Sequence, residues 1–447
     1  MNASLLVRVL LERWRLRQHD RWSRERLLAH QAQGLEALRR HAYARSPFYQ
    51  WFHRGLEARP LPELPVLTKA LLMERFDELV TDPAVRLEEV EAHLKTLRGD
   101  ERFLGRYRVC ATSGSTGRRG IFLFGEEEWA TVLASYARVY AWGGVRVGLG
   151  KRSKIAVVST TTPFHQSARV GSSVQSPFVP ALRLDATDPL PQNVERLNRF
   201  QPEALVAYAS MGRALAVEQL EGRLRIAPKA VFCASEVLTD EARRLIARAW
   251  GRQPFDVYGA TEAATIAAEC EHHDGLHLFE DLVITEVVDE RYRPVPPGEY
   301  GDKVLVTVLF SRTQPLIRYE MSDRVRLGER PCPSGWPYRL VDGIQGRLED
   351  VLRLPGREGG TVAVHPNVFH DVIDLAPAAG WQVVYAPGRL QVLLAGRPDP
   401  ALEQALPGAL AQALLAQGAA PVPVEVRWVE ALPKNALGKT PLIRQEG

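Results

Sequence analysis

The sequence predicts an α/β protein with a large N-terminal domain of layered α/β subdomains and a β-rich subdomain, followed by a small α+β C-terminal domain. Between residues 153 and 264, short apolar runs that end in small polar residues alternate with helical segments, which is typical of α/β layers. Between Gly275 and Arg326, strand-like runs follow one another without intervening helices. A chain of 447 residues also exceeds one core of ordinary size, so we expect two or three structural units.

The helical segments come first along the chain. Residues 1–45 carry apolar residues at three-to-four spacing, which predicts helix. Thr68 is a suitable N-cap for a helix that begins at Lys69. A further helix is expected from Glu126 to Trp142, and an alanine- and leucine-rich helix over residues 400–417.

Four apolar runs are predicted to be buried strands, at 153–161, 203–210, 228–236 and 254–264. The C-terminal parts of these runs carry glycine, serine, threonine and glutamate. In α/β sheets, ligands bind at the carboxyl ends of the strands. We therefore expect a ligand site where these four runs end.

The composition excludes several classes of protein. No run of about 18 uncharged apolar residues occurs, which argues against a transmembrane segment. The net charge of only +4 gives no sign of the strong positive charge that is typical of nucleic-acid-binding proteins. The four cysteines lie far apart in a long chain, which favours reduced thiols and a cytoplasmic protein.

The N-terminal region is strongly basic. Residues 1–60 contain twelve arginines and five acidic residues, a net charge of +7. This helical face could touch a membrane surface or an acidic partner. The simpler interpretation, which we favour, is a solvated face whose apolar stripe packs on the rest of the protein.

The segment ATSGSTGRRG, residues 111–120, has the composition of an anion-binding loop. Its glycines allow backbone N–H groups to converge on a phosphate, and its hydroxyls add donors. No Lys-Ser/Thr pair follows the last glycine, so it is not a Walker A loop. The candidate phosphate-binding residues are Thr112, Ser113, Gly114, Ser115, Thr116 and Gly117.

Five short motifs occur in one order along the chain: TSGSTG (112–117), YGATEA (258–263), RYEMSD (318–323), GRLED (346–350) and LGK (437–439). Together they resemble the adenylate-forming superfamily of acyl- and aryl-CoA ligases, and most closely its phenylacetate-CoA ligase branch. HAYARSPFY, ECEHHDGLHLFED and VHPNVFHDVI are similar to that branch in particular. The resemblance covers nearly the whole chain and implies an N-terminal domain of residues 1–348 and a mobile C-terminal domain of residues 349–447.

The resemblance implies an ATP- and Mg²⁺-dependent ligase that forms an acyl-adenylate, releases pyrophosphate and passes the acyl group to a thiol. Coenzyme A is the default acceptor, and the phosphopantetheine arm of an acyl-carrier protein is the main alternative. Two other hypotheses are a nucleotide-binding protein without turnover and an enzyme that stops at a nucleotide ester or amide. The branch favours an aromatic acid, and a homodimer is one candidate assembly.

The resemblance also assigns nucleotide-binding roles. Tyr258 is expected to stack on adenine, with Gly259, Ala260 and Thr261 beside the nucleotide and the acyl carboxylate, and Glu262 is expected to bind Mg²⁺. Ala234, Ser235 and Glu236 are expected to line adenine, and Asp323 to accept both ribose hydroxyls. The family's usual Thr-Gly before that aspartate is Met321-Ser322 here.

Three residues near the C-terminus complete the implied site. Arg347 matches an arginine near the ribose and phosphate, and Glu349 matches the hinge, which is commonly aspartate in the family. Lys439 matches the lysine that one orientation of the C-terminal domain brings to the site for adenylation. For the acyl pocket, the candidates are His165, Tyr208 and Ser210.

A metal-binding set is a further candidate. Cys270, His272, His273, His277 and Cys332 carry zinc-ligand chemistry, and some relatives pair similar segments. Ser334 stands where such relatives have another cysteine. We take Cys270, His273 and Cys332 as the candidate zinc ligands.

Overall fold

The computed structural model describes residues 3–112, 119–145, 153–173, 180–347, 352–364, 366–373, 378, 380–434 and 440–446. Its helices are α1 (Ala3–His19), α2 (Arg24–Arg45), α3 (Pro47–Phe52), α4 (Lys69–Glu74), α5 (Phe76–Leu79), α6 (Leu87–Thr96), α7 (Glu126–Trp142), α8 (Gln166–Ser173), α9 (Leu190–Phe200), α10 (Ala209–Leu220), α11 (Asp240–Trp250), α12 (Pro366–Ile373) and α13 (Pro400–Ala416). None of these helices combines the length and apolarity needed to cross a bilayer.

The strands are β1 (Arg108–Ala111), β2 (Ile121–Phe124), β3 (Ile155–Ser159), β4 (Ala181–Asp185), β5 (Ala204–Tyr208), β6 (Ala230–Ala234), β7 (Phe255–Ala260), β8 (Ala264–Glu269), β9 (Leu276–Leu278), β10 (Val283–Val288), β11 (Lys303–Val308), β12 (Tyr319–Met321), β13 (Asp323–Leu327), β14 (Leu340–Arg347), β15 (Leu352–Pro355), β16 (Thr361–Val364), β17 (Gly380–Ala386), β18 (Arg389–Ala395), β19 (Val424–Val429) and β20 (Ile443–Gln445). The mixed α/β architecture confirms the predicted fold class.

The chain forms two compact units, and each is built from several stretches of sequence. The first unit contains Met1–Ile155, Thr160–Arg183 and Phe255–Gly343, and the second contains Ala156–Ser159, Leu184–Pro254 and Ile344–Gly447. C-terminal residues thus share a unit with residues 184–254. The predicted boundary between 348 and 349 lies outside the described residues and stays a prediction.

The first unit contains three groups of paired strands. Strands β1 and β2 form an antiparallel hairpin, and β10, β11 and β12 form an antiparallel sheet. The strands β13, β14, β9, β8 and β7 are hydrogen-bonded neighbours in that order. The β-rich region predicted after Gly275 supplies most of these strands.

The second unit contains parallel and mixed sheets. Strands β5 and β6 run parallel, so their carboxyl ends meet at Tyr208 and Ala234. Near the C-terminus, the strands β19, β18, β17 and β20 form a four-stranded sheet, and α13 packs on it through buried leucines. This is the predicted α+β arrangement.

Most predicted elements lie where the sequence placed them. The Thr68 side chain accepts a hydrogen bond from the Leu71 amide and caps α4, and α7 has the predicted bounds. The N-terminal helix is different, because it is broken between His19 and Arg24 and resumes behind the Ser23 cap.

Candidate functional site

The predicted phosphate-binding loop is bounded by a closed hairpin in the first unit. The Thr112 amide donates to the Gly120 carbonyl at 2.9 Å, and the Gly120 amide donates to Thr112 Oγ1 at 2.9 Å. The first bond extends the backbone pairing of β1 and β2 by one residue pair, and the second joins the Thr112 side chain to the other end of the loop. Ser113, Gly114, Ser115, Thr116 and Gly117 lie outside the described residues.

The end of β7 and the turn that follows it carry four predicted site residues, Gly259, Ala260, Thr261 and Glu262. Strands β7 and β8 pair antiparallel, with an irregularity between Tyr258 and Gly259. A Cβ on Gly259 would stand 2.9 Å from the Ala264 carbonyl oxygen, so a side chain there would collide with the backbone. Ala260 ends β7, and Thr261 and Glu262 lie half-buried in the turn.

Tyr258 and Asp323 contact each other, although they are 65 residues apart in sequence. The Tyr258 hydroxyl donates to Asp323 Oδ2 at 3.0 Å, and both side chains are buried. Asp323 is the first residue of β13. The structure therefore brings together two residues that the sequence assigns to one nucleotide.

Two consecutive hydrogen bonds hold the turn after β7 in place. The Gln166 side-chain amide donates to the Thr261 carbonyl at 3.1 Å, and the Tyr136 hydroxyl donates to Gln166 Oε1 at 2.8 Å. Gln166 is almost fully buried at the start of α8. Sequence reasoning missed both residues, because a lone glutamine and a helix tyrosine give no local signal of such a role.

The segment between β3 and α8 holds the predicted pocket residue His165. Its Nδ1 lies 3.1 Å from Ser167 Oγ, and its amide donates to the Thr162 carbonyl at 3.0 Å. The adjacent Phe164 ring lies 4.8 Å below the Arg119 guanidinium. This cation–π contact brings the end of the phosphate-binding loop next to the His165 segment.

In the second unit, two predicted segments meet at the ends of β5 and β6. Glu236 Oε2 accepts a hydrogen bond from the Ser210 amide at 2.8 Å, so this carboxylate caps the N-terminus of α10. Tyr208 is buried, and Ser210 Oγ is buried without a hydrogen-bond partner in the described part of the chain. A buried hydroxyl in this state is suited to a polar ligand.

The backbone between these residues is locally strained. Ser235 has a φ of 67°, in the left-handed region that a residue with a Cβ seldom adopts. Its neighbour Ala234 ends β6. Strain of this kind concentrates at ligand sites.

The C-terminal segment reaches the same carboxylate. The Thr440 amide donates to Glu236 Oε1 at 3.3 Å. Lys434 Nζ donates to the Ala186 carbonyl. Burial lowers the pKa of Lys434, although Asp185 and Glu236 oppose the shift.

Three of the predicted functional residues are not described in full. Glu349 and Lys439 lie outside the described residues, and Arg347 is the last residue of β14. Lys439 precedes Thr440 directly in sequence, and the Thr440 amide bonds Glu236.

The first unit also contains a buried cluster of metal-ligating side chains. The ligand atoms of Cys270, His277 and Cys332 all lie within 4.8 Å of one another, and the two Sγ atoms are 3.5 Å apart. Both ring nitrogens of His277 are buried without a hydrogen-bond partner among the described residues. Burial lowers the pKa of His277 to about 4, so its ring is neutral and able to bind a metal.

This cluster revises the candidate zinc set. His273 was the expected third member, but its Nδ1 bonds Glu269 Oε2 at 3.0 Å. His277 takes the place because it lies on β9, which pairs with β8 just before Cys270. His277 lies between two leucines in a buried strand, and this pattern could have indicated that its imidazole is buried near the cysteines.

No protein-family model matches the chain. The chain is 26% identical to the phenylacetate-coenzyme A ligase of Thermus thermophilus over 373 residues, which cover 79% of this chain and 76% of that protein. It is 28% identical to the Pseudomonas putida phenylacetate-coenzyme A ligase over 276 residues, 56% of each chain.

The fold matches a solved structure over almost its full length. The crystal structure of 2-hydroxyisobutyryl-CoA ligase, in its postadenylation state with an acyl-AMP, aligns with a TM-score of 0.73 at 19% identity. The alignment covers 96% of this chain and 91% of that one.

Proposed function

We infer that the chain belongs to the adenylate-forming superfamily of acyl- and aryl-CoA ligases, on its phenylacetate-CoA ligase branch. The observation that carries this inference is the similarity to phenylacetate-coenzyme A ligase across 79% of the chain. The shared fold of a CoA ligase supports it independently.

The protein is an acid–thiol ligase that activates a carboxylic acid with ATP. A free carboxylate is a poor acyl donor, since its leaving group would be oxide. Attack of the carboxylate oxygen on the α-phosphorus of ATP forms the acyl-adenylate and releases pyrophosphate. The thiol of coenzyme A then attacks the acyl carbon, and AMP leaves as the thioester forms.

The hairpin loop is assigned to the phosphates that leave as pyrophosphate. Its donors would stabilise the negative charge that develops in the transition state. Support comes from the two hydrogen bonds between Thr112 and Gly120, which hold the ends of the loop in a fixed relation. Donors that were already in place before the reaction would not need to reorganise during it.

Asp323 is assigned to the ribose hydroxyls, and Tyr258 keeps its carboxylate in place. A carboxylate can accept two hydrogen bonds from a diol, and the Tyr258 hydroxyl occupies one lone pair of Oδ2. The contact between the two residues supports a role for Tyr258 in orienting Asp323 in addition to the predicted stacking on adenine.

Glu262 is assigned to the Mg²⁺ ion that accompanies ATP. A half-buried carboxylate in a turn offers the oxygen ligands that this hard cation requires. The ion would neutralise charge on the phosphate oxygens. The relay from Tyr136 through Gln166 to the Thr261 carbonyl holds the backbone next to Glu262.

Lys439 is assigned to the adenylation step, in which its ammonium group would orient the acyl carboxylate. The contact of the neighbouring Thr440 amide with Glu236 supports a place for this segment at the ends of β5 and β6. Domain rotation about Glu349 would exchange this segment for the thiol acceptor.

Cys270, His277 and Cys332 are assigned to zinc. Their chemistry fits, because two thiols and a neutral imidazole are preferred zinc ligands and the imidazole nitrogens lack other partners in the described residues. Structural zinc fixes loops by binding them to one centre. Here it would join β8, β9 and the 331–336 loop.

Metal analysis of the purified protein tests the zinc assignment. We expect about one zinc per chain by mass spectrometry, since the described residues contain one cluster of three metal-ligating side chains. Cys332→Ser should lose the metal, whereas Cys233→Ser, at a buried cysteine outside the cluster, should retain it. Absence of zinc from the wild type after growth in zinc-supplemented medium would contradict the assignment.

The substrate and acceptor are tested in one screen. The protein is incubated with ATP, coenzyme A and a panel of aryl, hydroxy and fatty acids, and acyl-CoA and AMP are quantified. The branch predicts the best turnover with an aromatic acid and AMP as the nucleotide product. Formation of ADP in place of AMP would overturn the proposed reaction. Formation of a thioester with a carrier protein but not with coenzyme A would overturn the proposed acceptor.

A further inference from the structure

Helix α1 has two apolar faces, and only one of them is buried. Leu5, Val9 and Leu16 are buried at spacings of four and seven residues. These residues point toward the body of the first unit, where the N-terminal end of α1 meets α7 through bonds from Ser4 to Glu126 and from Arg8 to Glu127. Burial of this face against the first unit stabilises the helix.

The opposite face of α1 is apolar and exposed to solvent. Val7, Leu10, Leu11 and Trp14 follow the i, i+3, i+4, i+7 spacing of one helix face. Trp14 is 62% exposed and Val7 is 56% exposed. Four of the eight large apolar side chains that stand out as exposed in the described part of the chain therefore lie on this one helix.

Arginines flank the exposed face on both sides. At 3.6 residues per turn, Arg8 and Arg15 fall on one flank and Arg13 and Arg17 on the other. Burial lowers the pKa of Arg13, and the nearby charge of Arg17 lowers it further. One acidic residue, Glu12, occurs within α1, where it pairs with Arg15.

We propose that this exposed face of α1, defined by Val7, Leu10, Leu11 and Trp14 with its flanking arginines, docks the protein onto an anionic lipid surface. Leucine, valine and tryptophan would enter the headgroup boundary while the guanidinium groups bind lipid phosphates. The helix would lie in the plane of the surface, with its buried face still packed on the protein.

Two features favour a lipid surface over a second copy of the chain. Four side chains on one helix are far fewer than the roughly 20–30 residues per partner of a standard interface. A twofold contact through this face would also bring the same arginine rows together, and like charges repel. A lipid surface needs neither a large area nor a matching partner.

Vesicle flotation of the full chain tests the proposal. We expect wild-type protein to float with phosphatidylcholine vesicles that contain phosphatidylglycerol. With vesicles of phosphatidylcholine alone, the protein should stay unbound in the bottom fraction. Leu11→Ser/Trp14→Ser should reduce the bound fraction about tenfold or more, because it removes the centre of the apolar face. Arg15→Glu/Arg17→Glu should abolish the preference for anionic vesicles.

A matched control separates this face from exposed apolar residues in general. Leu104→Ser/Leu220→Ser changes two leucines that are also exposed but lie elsewhere, and it should float like the wild type. Circular dichroism checks that each variant is folded. Leu11 and Trp14 are both exposed in the wild type, so the Leu11→Ser/Trp14→Ser variant should still fold.

Three outcomes would overturn the proposal. One is absence of flotation with anionic vesicles, and another is equal flotation of the wild type and the Leu11→Ser/Trp14→Ser variant. The third is a wild-type dimer in solution that Leu11→Ser/Trp14→Ser converts to monomer, since a second copy would then cover the face. The assay does not depend on ligase activity, so its result is independent of the proposed function.

Discussion

Gln166 holds a backbone position that the proposed chemistry requires. Its side-chain amide donates to the Thr261 carbonyl, and its own oxygen is held by Tyr136. The turn that follows β7 contains Glu262, so a small displacement at Thr261 moves that carboxylate too. Gln166 is therefore a positioning residue in this account.

Gln166→Ala is expected to lower kcat/KM about tenfold, because the Thr261 carbonyl loses a buried partner and the turn is free to shift. The loss should fall mainly on ATP-dependent adenylate formation, with little change in the rate from preformed acyl-adenylate to thioester. Gln50→Ala is the control, since Gln50 also donates to a backbone carbonyl but is exposed. Equal losses in both variants would contradict the positioning role.

Lys439→Ala should suppress adenylate formation by about a hundredfold or more, because the variant lacks the positive charge that we propose orients the reacting carboxylate. Thioester formation from preformed adenylate should be nearly unchanged. Rapid-quench measurement of each half-reaction checks this, with Lys229→Ala, an exposed surface lysine, as the control. Equal loss of both half-reactions would refute a role confined to adenylation.

At the level of single residues, motifs can select candidate site residues, but they do not show which of these residues contact each other. Motif matching identified Tyr258 and Asp323 separately, but their hydrogen bond depends on how β7 and β13 are arranged, which no local pattern encodes. His273 was chosen over His277 for a similar reason, since distance along the chain does not reveal strand register. Gln166 lacks any motif and could be found only from the structure.

At the scale of elements, α7 is anchored by a buried charge. Arg138 donates to both oxygens of Asp281 at 2.9 Å, to the Leu16 carbonyl at 2.8 Å and to the Tyr338 hydroxyl at 2.8 Å. These partners come from α1, the turn before β10 and the loop before β14. One side chain therefore ties three separate stretches of the first unit to α7.

Arg138→Met is expected to lower the free energy of unfolding by about 3–5 kcal/mol, because it leaves Asp281 buried without its counter-charge. Arg59→Met, which breaks an exposed pair with Glu63, should cost about 0–1 kcal/mol. Urea titrations of both variants measure the difference. A small effect of Arg138→Met would mean that water or another group satisfies Asp281.

Element boundaries were predictable where local signals are strong. The Thr68 cap and the bounds of α7 follow from sequence, whereas the predicted single helix over 1–45 is two helices. Asp20 explains the break, because its carboxylate turns inward to accept hydrogen bonds from Trp142 and Tyr338. Those partners are more than a hundred residues away and give no signal in the N-terminal segment.

At the scale of the whole molecule, the buried Asp281 links stability to pH. Burial alone would raise its pKa, but the Arg138 charge and hydrogen bonds from His19 and Arg138 hold the pKa well below its usual range. A carboxyl with a depressed pKa stabilises the folded state above its unfolded pKa of about 3.9. That contribution is lost as the pH falls toward the folded-state pKa.

Asp281→Asn should therefore be less stable than the wild type by a constant amount above about pH 5, and the gap should narrow below about pH 4. Unfolding free energies measured across this range give the test. Asp188→Asn, at a half-exposed ion pair, should show a much smaller gap throughout. A gap that does not change in acid would exclude Asp281 as the linked group.

We propose above that this protein joins a carboxylate to AMP before any thiol takes part. Carboxylate-dependent exchange of labelled pyrophosphate into ATP, measured without coenzyme A, tests it most directly. We expect exchange that requires the acid and Mg²⁺ and is lost in Lys439→Ala. Bound ATP without exchange, across a broad panel of aryl, hydroxy and fatty acids, would contradict it.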